Sequence, residues 1–181
     1  MIPQLETERL ILRGFRVDDA PDVQRLAGEW AVADTTTNIP HPYEPGMAED
    51  WIEPHEEAFV LGTLATFAIT LKGSGTLVGA IGLGAVEPRE KAELGYWVGV
   101  PYWGCGYCTE AGRAILAFAF AEMGLKRVDA FHMTRNPASG SVMRKLGMRH
   151  EGHFRHHVEK WGVPEDVEFY SIAKTEWANR A

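Results

Sequence analysis

Gly104 and Gly106 lie inside AELGYWVGVPYWGCGYCTEA, residues 92–111, the stretch of the chain best suited to chemistry. The residues up to Val100 read as an apolar strand, the glycines as a sharp turn, and a helix is expected to open at Thr109. Glycine turns the backbone with no Cβ in the way, so consecutive N–H groups are exposed. The helix adds its unpaired first-turn donors and a partial positive charge. A strand running into such a turn cradles a phosphate or pyrophosphate, so a phosphorylated cofactor is expected here.

Other chemistries compete for the same residues. Gly104-x-Gly106-x-x-Thr109 is close to the dinucleotide fingerprint, with Asp129 placed about 20 residues on as a ribose acid would be. Against it, Asp129 falls near the start of its strand, and too little chain follows for a second nucleotide-binding half. Cys105-Gly106-Tyr107-Cys108 is a C-x-x-C at a helix N-terminus, an arrangement that lowers a thiol pKa. Its late position in the chain favours instead two small side chains filling a tight turn. Oxidation of that pair would distort the cradle. Zinc needs two further ligands, and His150, His153, His156 and His157 would alternate faces on a strand, so no metal is expected.

The elements that must position these residues follow from pattern and punctuation. Leu10–Arg16 reads as a first strand and Asp18–Gly28 as a helix with Val23 and Leu26 on its apolar face. Thr35–Pro45 is proline-broken and reads as a loop. Met47–Leu61 reads as a helix interrupted at Pro54. Thr66–Leu71 and Leu77–Val86 make a hairpin, followed by the Ala92–Val100 strand and a helix over Thr109–Glu122. Arg127–Met133 is a strand, Pro137–Leu146 a short helix, and Met148–Glu159 with Asp166–Lys174 a closing hairpin. That order implies an α/β sheet with antiparallel and parallel pairs.

At 181 residues the chain is expected to be one domain over 1–181, with a core that needs no staples. Its 45% hydrophobic and 24% charged residues are those of an ordinary globular protein. A net charge of −7 argues against nucleic acid as partner. The absence of a long apolar run argues against a membrane, and two cysteines with no secretory leader point to the cytoplasm.

TERLILR at 7–13, the 92–111 stretch, NPASGSVMRKLGMRHEGHFR at 136–155 and KWGVPEDVEFYSI at 160–172 occur in that order. With these the chain resembles the Gcn5-related N-acetyltransferase (GNAT) superfamily, in its RimJ/RimL-like branch. The resemblance implies a GNAT fold: a mixed, mostly antiparallel sheet of about seven strands, flanked by helices, with a central parallel strand splay. It implies acetyl-CoA as cosubstrate and direct acetyl transfer to a primary amine. The acceptor would be a protein N-terminus, ribosomal or other, or a small molecule such as an antibiotic, polyamine or amino acid; a homodimer is left open. A non-catalytic CoA-binding module and a thiol oxidoreductase are the other classes to test.

Residue by residue, the resemblance places the pantetheine and acetyl carbonyl on the backbone of Trp97, Val98, Gly99 and Val100. The pyrophosphate falls on Trp103, Gly104, Cys105, Gly106, Tyr107 and Cys108, where Trp103 replaces the usual cationic or amide residue and Cys108 the usual small one. Thr109 is a helix cap or a phosphate donor, and Asn136 contacts the pantetheine arm. Many relatives use a tyrosine seven residues after that asparagine as general acid. Here Met143 stands there, which leaves Ser139. Glu93 takes the place of the catalytic base, with Glu151 and Glu168 next in line, and Asn38, His41 and Tyr43 lie where relatives build the acceptor side.

Overall fold

A computed structural model describes residues 1–179. One eight-stranded sheet runs through it in the order β1-β2-β3-β4-β5-β6-β8-β7. The strands are β1 Leu5–Glu6, β2 Leu10–Arg13, β3 Ala65–Leu71, β4 Leu77–Glu87, β5 Lys91–Val98, β6 Arg127–Met133, β7 Arg149–Lys160 and β8 Val163–Ala173. Among the described residues only β5 and β6 pair parallel; every other neighbouring pair is antiparallel. The mixed sheet with one central parallel pair is as the resemblance implied. The strand count is eight, because the two residues of β1 fold back on β2.

The helices are α1 Ala20–Ala27, α2 Trp30–Ala33, α3 Met47–Ile52, α4 His55–Val60, α5 Tyr107–Ala121, α6 Pro137–Lys145 and α7 Lys174–Ala178. The expected helix over Met47–Leu61 is split at Pro54, which lacks the N–H that would continue it. The short α2 and α7 occupy segments for which the sequence pattern proposed no element. The first long strand stops at Arg13, whose side chain turns to pair with Asp19 at 2.7 Å.

The sheet is buried on both faces over its middle strands, which is why β3 reads ATFAITL with almost no polar alternation. On one face Leu12, Phe67, Ile81 and Leu94 meet Ile115, Leu116 and Ala119 of α5 and Met143 of α6. On the other, Ala68, Leu77 and Trp97 meet Val23 and Leu26 of α1 and Ala48 and Ile52 of α3. Each large apolar side chain fully withdrawn from water contributes about 1.5–3 kcal/mol. These two layers therefore hold β5 rigidly between them.

β7 is irregular, with register shifts between His150 and Gly152 and between Phe154 and Val158. The first shift corrects the simple alternation expected for the histidines. His150 and His153 both reach Glu168, at 2.6 and 2.8 Å. Among the described residues no group of three or more His, Cys, Asp or Glu is arranged to hold a metal ion.

Candidate active site

The parallel ladder between β5 and β6 has three pairs, Lys91–Arg127, Ala92–Val128 and Glu93–Asp129. Beyond Glu93, β5 stays with β4 as far as Val98, while β6 stays with β8 as far as Met133. Two strands anchored to different neighbours must part, and the cleft between their C-terminal ends is a topological switch point where open α/β sheets bind ligands.

Past Val98 the chain turns through Gly104 and Gly106, at φ of +74° and +79°. Both lie in the left-handed region that residues with a Cβ enter only at a cost. Gly106 is the N-cap of α5, so the helix opens at Tyr107, two residues before the expected start. Thr109 is consequently buried inside the first turn and caps nothing. The first-turn N–H groups of α5, which a helix leaves without intrahelical partners, follow directly on this bare glycine backbone, a geometry able to accept an anion.

Two side chains brace this turn. The indole of Trp103 donates to the Val98 carbonyl at 2.6 Å and so folds the turn back onto β5. Arg9 donates to the Cys105 carbonyl at 3.0 Å and lies over the Tyr107 ring at 4.8 Å. It also pairs with Glu110 at 2.7 Å, and Glu110 accepts from the Thr7 hydroxyl at 2.6 Å. Partial burial works against the Glu110 carboxylate, but the bonds from Thr7 and Arg9 outweigh it and hold its pKa below the usual range. Arg9 brings a cation to this turn from 96 residues upstream of Cys105. Its role was hidden in TERLILR, because sequence separation conceals the contact.

On the α5–α6 side of the cleft, the Tyr96 hydroxyl lies 2.9 Å from both the carbonyl and the hydroxyl of Ser139. Because a carbonyl only accepts, the arrangement that satisfies both bonds has Tyr96 donating to the Ser139 carbonyl and the Ser139 hydroxyl donating to Tyr96. Burial pushes the Tyr96 phenol far above its usual pKa, so it stays protonated. Asn136 caps α6 by accepting the Ser139 N–H at 3.4 Å, which fixes Ser139 in the first turn. Met143 is buried in the core. Tyr96 is the residue that sequence reasoning missed. The signal available was its position in AELGYW, on the opposite face of the strand from Glu93.

On the other side, Glu93 sits half-buried opposite Asp129, and Asp129 is paired with Arg127 and stands opposite Ser171 of β8. Burial, then the Asp129 charge, raises the Glu93 pKa, while His157 acts in the opposite sense. A carboxylate so raised is a stronger base than an ordinary one. Glu151 is on this face too, but accepts the Ser171 hydroxyl at 2.6 Å. Glu168 points to the opposite face of the sheet, held by two histidines.

The loop residues fall elsewhere. Tyr43 packs against the layer under α1, and His41 meets the Gly28 carbonyl at 3.1 Å. Both line a shallow groove along α1 with Gln24 and Arg25, a groove that takes in neither Glu93 nor the β5–β6 cleft. Asn38 is exposed. What the loop does offer is an anchor: Lys160 donates to the Ile39 carbonyl at 2.7 Å, and Arg135 bridges Asp34 and Glu165.

Cys105 is exposed, and burial raises the Cys108 thiol well above its usual pKa. A raised thiol pKa runs against the lowered one on which C-x-x-C redox chemistry depends.

Residues 9–149 match the family described as acetyltransferase (GNAT) domain. An uncharacterized N-acetyltransferase p20 of Bacillus licheniformis is 29% identical over 96% of this chain and 98% of its own. A putative ribosomal N-acetyltransferase YdaF of Bacillus subtilis is 28% identical over 90% of this chain and 92% of its own. The crystal structure of a GNAT-family acetyltransferase from Bacillus anthracis superposes with a TM-score of 0.85 at 27% identity, over 96% of this chain and all of that one. The chain belongs to the GNAT family of acetyl-CoA-dependent N-acetyltransferases.

Proposed function

We propose that the protein transfers acetyl directly to a primary amine, with protein N-terminal α-amines as the leading acceptors, by two-sided chemistry across the β5–β6 cleft. The observation that carries this is one strand, β5, bearing Glu93 on one face and Tyr96, bonded to Ser139, on the other. The cradle at Gly104–Cys108 suits the pyrophosphate of acetyl-CoA. It offers donors without side chains, and a Cβ on Gly106 would stand 3.5 Å from the Arg9 guanidinium. The backbone of 97–100 and Asn136 would hold the arm. Acetyl-CoA supplies an activated acyl group with a thiolate leaving group.

Glu93 accepts the proton that the acceptor ammonium must lose before its nitrogen can attack, directly or through a water. Ser139 turns its hydroxyl away from Tyr96 to give a proton to the departing sulfur, and Tyr96, kept protonated by burial, holds the residue in place through its carbonyl. A hydroxyl held by a second hydroxyl needs no change of charge in the resting enzyme.

The test is acetylation of N-terminal peptides, followed by mass spectrometry. Wild type should turn over. Ser139→Ala should lower kcat about tenfold or more with acetyl-CoA affinity retained, and Tyr96→Phe by less. Unchanged kcat in both variants would remove the hydroxyl pair from the mechanism.

A further inference from the structure

The acceptor face of the sheet carries a wall of rings beside its acids. Alternation along β6 puts Asp129 and Phe131 on one face, and β8 sets Ser171 and Phe169 directly opposite them. Phe131 and Phe169 stack with ring centres 6.3 Å apart. Phe154 of β7 meets Phe169 edge-on at 5.6 Å and is 45% exposed. His157 touches both ends of the row, 5.7 Å from Phe131 and 5.7 Å from Phe154. On β5, Gly95 lies two residues past Glu93 on the same face, and a Cβ there would meet nothing within 4 Å. The parallel ladder ends at Glu93–Asp129, so Gly95 and Phe131, each two residues beyond that pair on the same face, stand on the two sides of the opening cleft. The β5 side of that opening is thus bare at Gly95.

Such a wall is costly to leave in water unless something covers it. Its charge surroundings say what. Glu93, Asp129 and Glu151 lie on this face against one arginine, Arg127, which pairs with Asp129, so the surplus is negative and attracts an ammonium while repelling a substrate carboxylate. Aromatic faces and edges in turn favour a flat apolar partner.

We infer that the acceptor is a primary amine carrying an aromatic ring on a short arm and no carboxylate beside the nitrogen, seated with its nitrogen over Gly95 near Glu93 and its ring against Phe131, Phe169 and Phe154. This rests on the acetyl-transfer reading above. A free arylalkylamine and a polypeptide beginning with an aromatic residue both present that chemistry. In the reaction the ammonium loses one proton to Glu93 and its nitrogen forms the C–N bond. The C–S bond breaks, the thiolate takes a proton from Ser139, and the Ser139 oxygen recovers one from the second proton leaving the nitrogen. The products are an amide, free CoA and a protonated Glu93 that returns its proton to water.

Acetyl transfer is measured with saturating acetyl-CoA to 2-phenylethylamine, a tetrapeptide amide beginning with Phe, n-propylamine, spermidine and free phenylalanine. The better ring-bearing amine should exceed n-propylamine and free phenylalanine in kcat/KM at least 30-fold, and whichever is better identifies the source. Phe131→Ala should cut that ratio at least fivefold. Phe154→Ala, at an exposed position that opens no core, should cut it at least twofold. Equal use of n-propylamine, preference for spermidine or free phenylalanine, no transfer to either ring-bearing amine, or a ratio unmoved by both substitutions overturns the inference. Calorimetry with acetyl-CoA separates the two failures. Binding alongside any of those results overturns only the acceptor assignment, whereas no binding by folded protein overturns the acetyl-transfer reading itself.

Discussion

The two sides of β5 are built by different means. The cradle side is made of backbone: two left-handed glycines and the open first turn of α5, all within residues 104–109. The acceptor side is made of side chains from four strands, with Glu93, Asp129, Phe154 and Phe169 brought level only by register. Recognition of a common group such as pyrophosphate can be written in a short contiguous segment, because every residue has the same N–H. Recognition of a particular amine needs shape and charge, which one strand alone does not supply.

The largest effect should come from breaking the backbone side. Gly106→Glu places bulk and negative charge in the cradle at a positive φ, and acetyl-CoA affinity by calorimetry should fall at least about 100-fold, or about 2.7 kcal/mol. Retained affinity would mean that the cradle is not where the pyrophosphate sits.

Glu93→Gln sharpens the other side. We expect kcat to fall about 100-fold while acetyl-CoA affinity holds. In wild type, activity should rise with pH as the raised Glu93 carboxyl ionises, and the variant should lack that limb. The sign for stability is the reverse. A carboxyl whose folded pKa exceeds its unfolded value stabilises least once ionised, so the Gln variant should melt no lower than wild type at neutral pH. A lower melting temperature would make Glu93 a structural acid.

The smallest effect tests where the two sides meet the rest of the fold. Arg9→Ala removes the cation beside the cradle, and acetyl-CoA affinity should weaken about 3- to 10-fold, less at high salt because Arg9 is well exposed. No change at low salt would limit Arg9 to bracing Glu110 and the Cys105 carbonyl.

The sequence by itself determined the order of the main strands and helices, the Pro54 break, the turn at Gly104 and Gly106, and Glu93 as a strand acid. All of these depend on neighbours a few residues away, through periodicity, glycine freedom and the missing proline N–H. Tertiary structure decided what long-range contacts govern. Arg9 reached the Cys105 carbonyl across 96 residues, and Tyr96 joined Ser139 across 43. Tyr43 settled against α1 instead of the cleft, and the β7 bulge set His150 and His153 on one acid. Such pairings follow from which strands lie side by side and in what register, a choice set by the burial of the whole sheet and carried by no single segment.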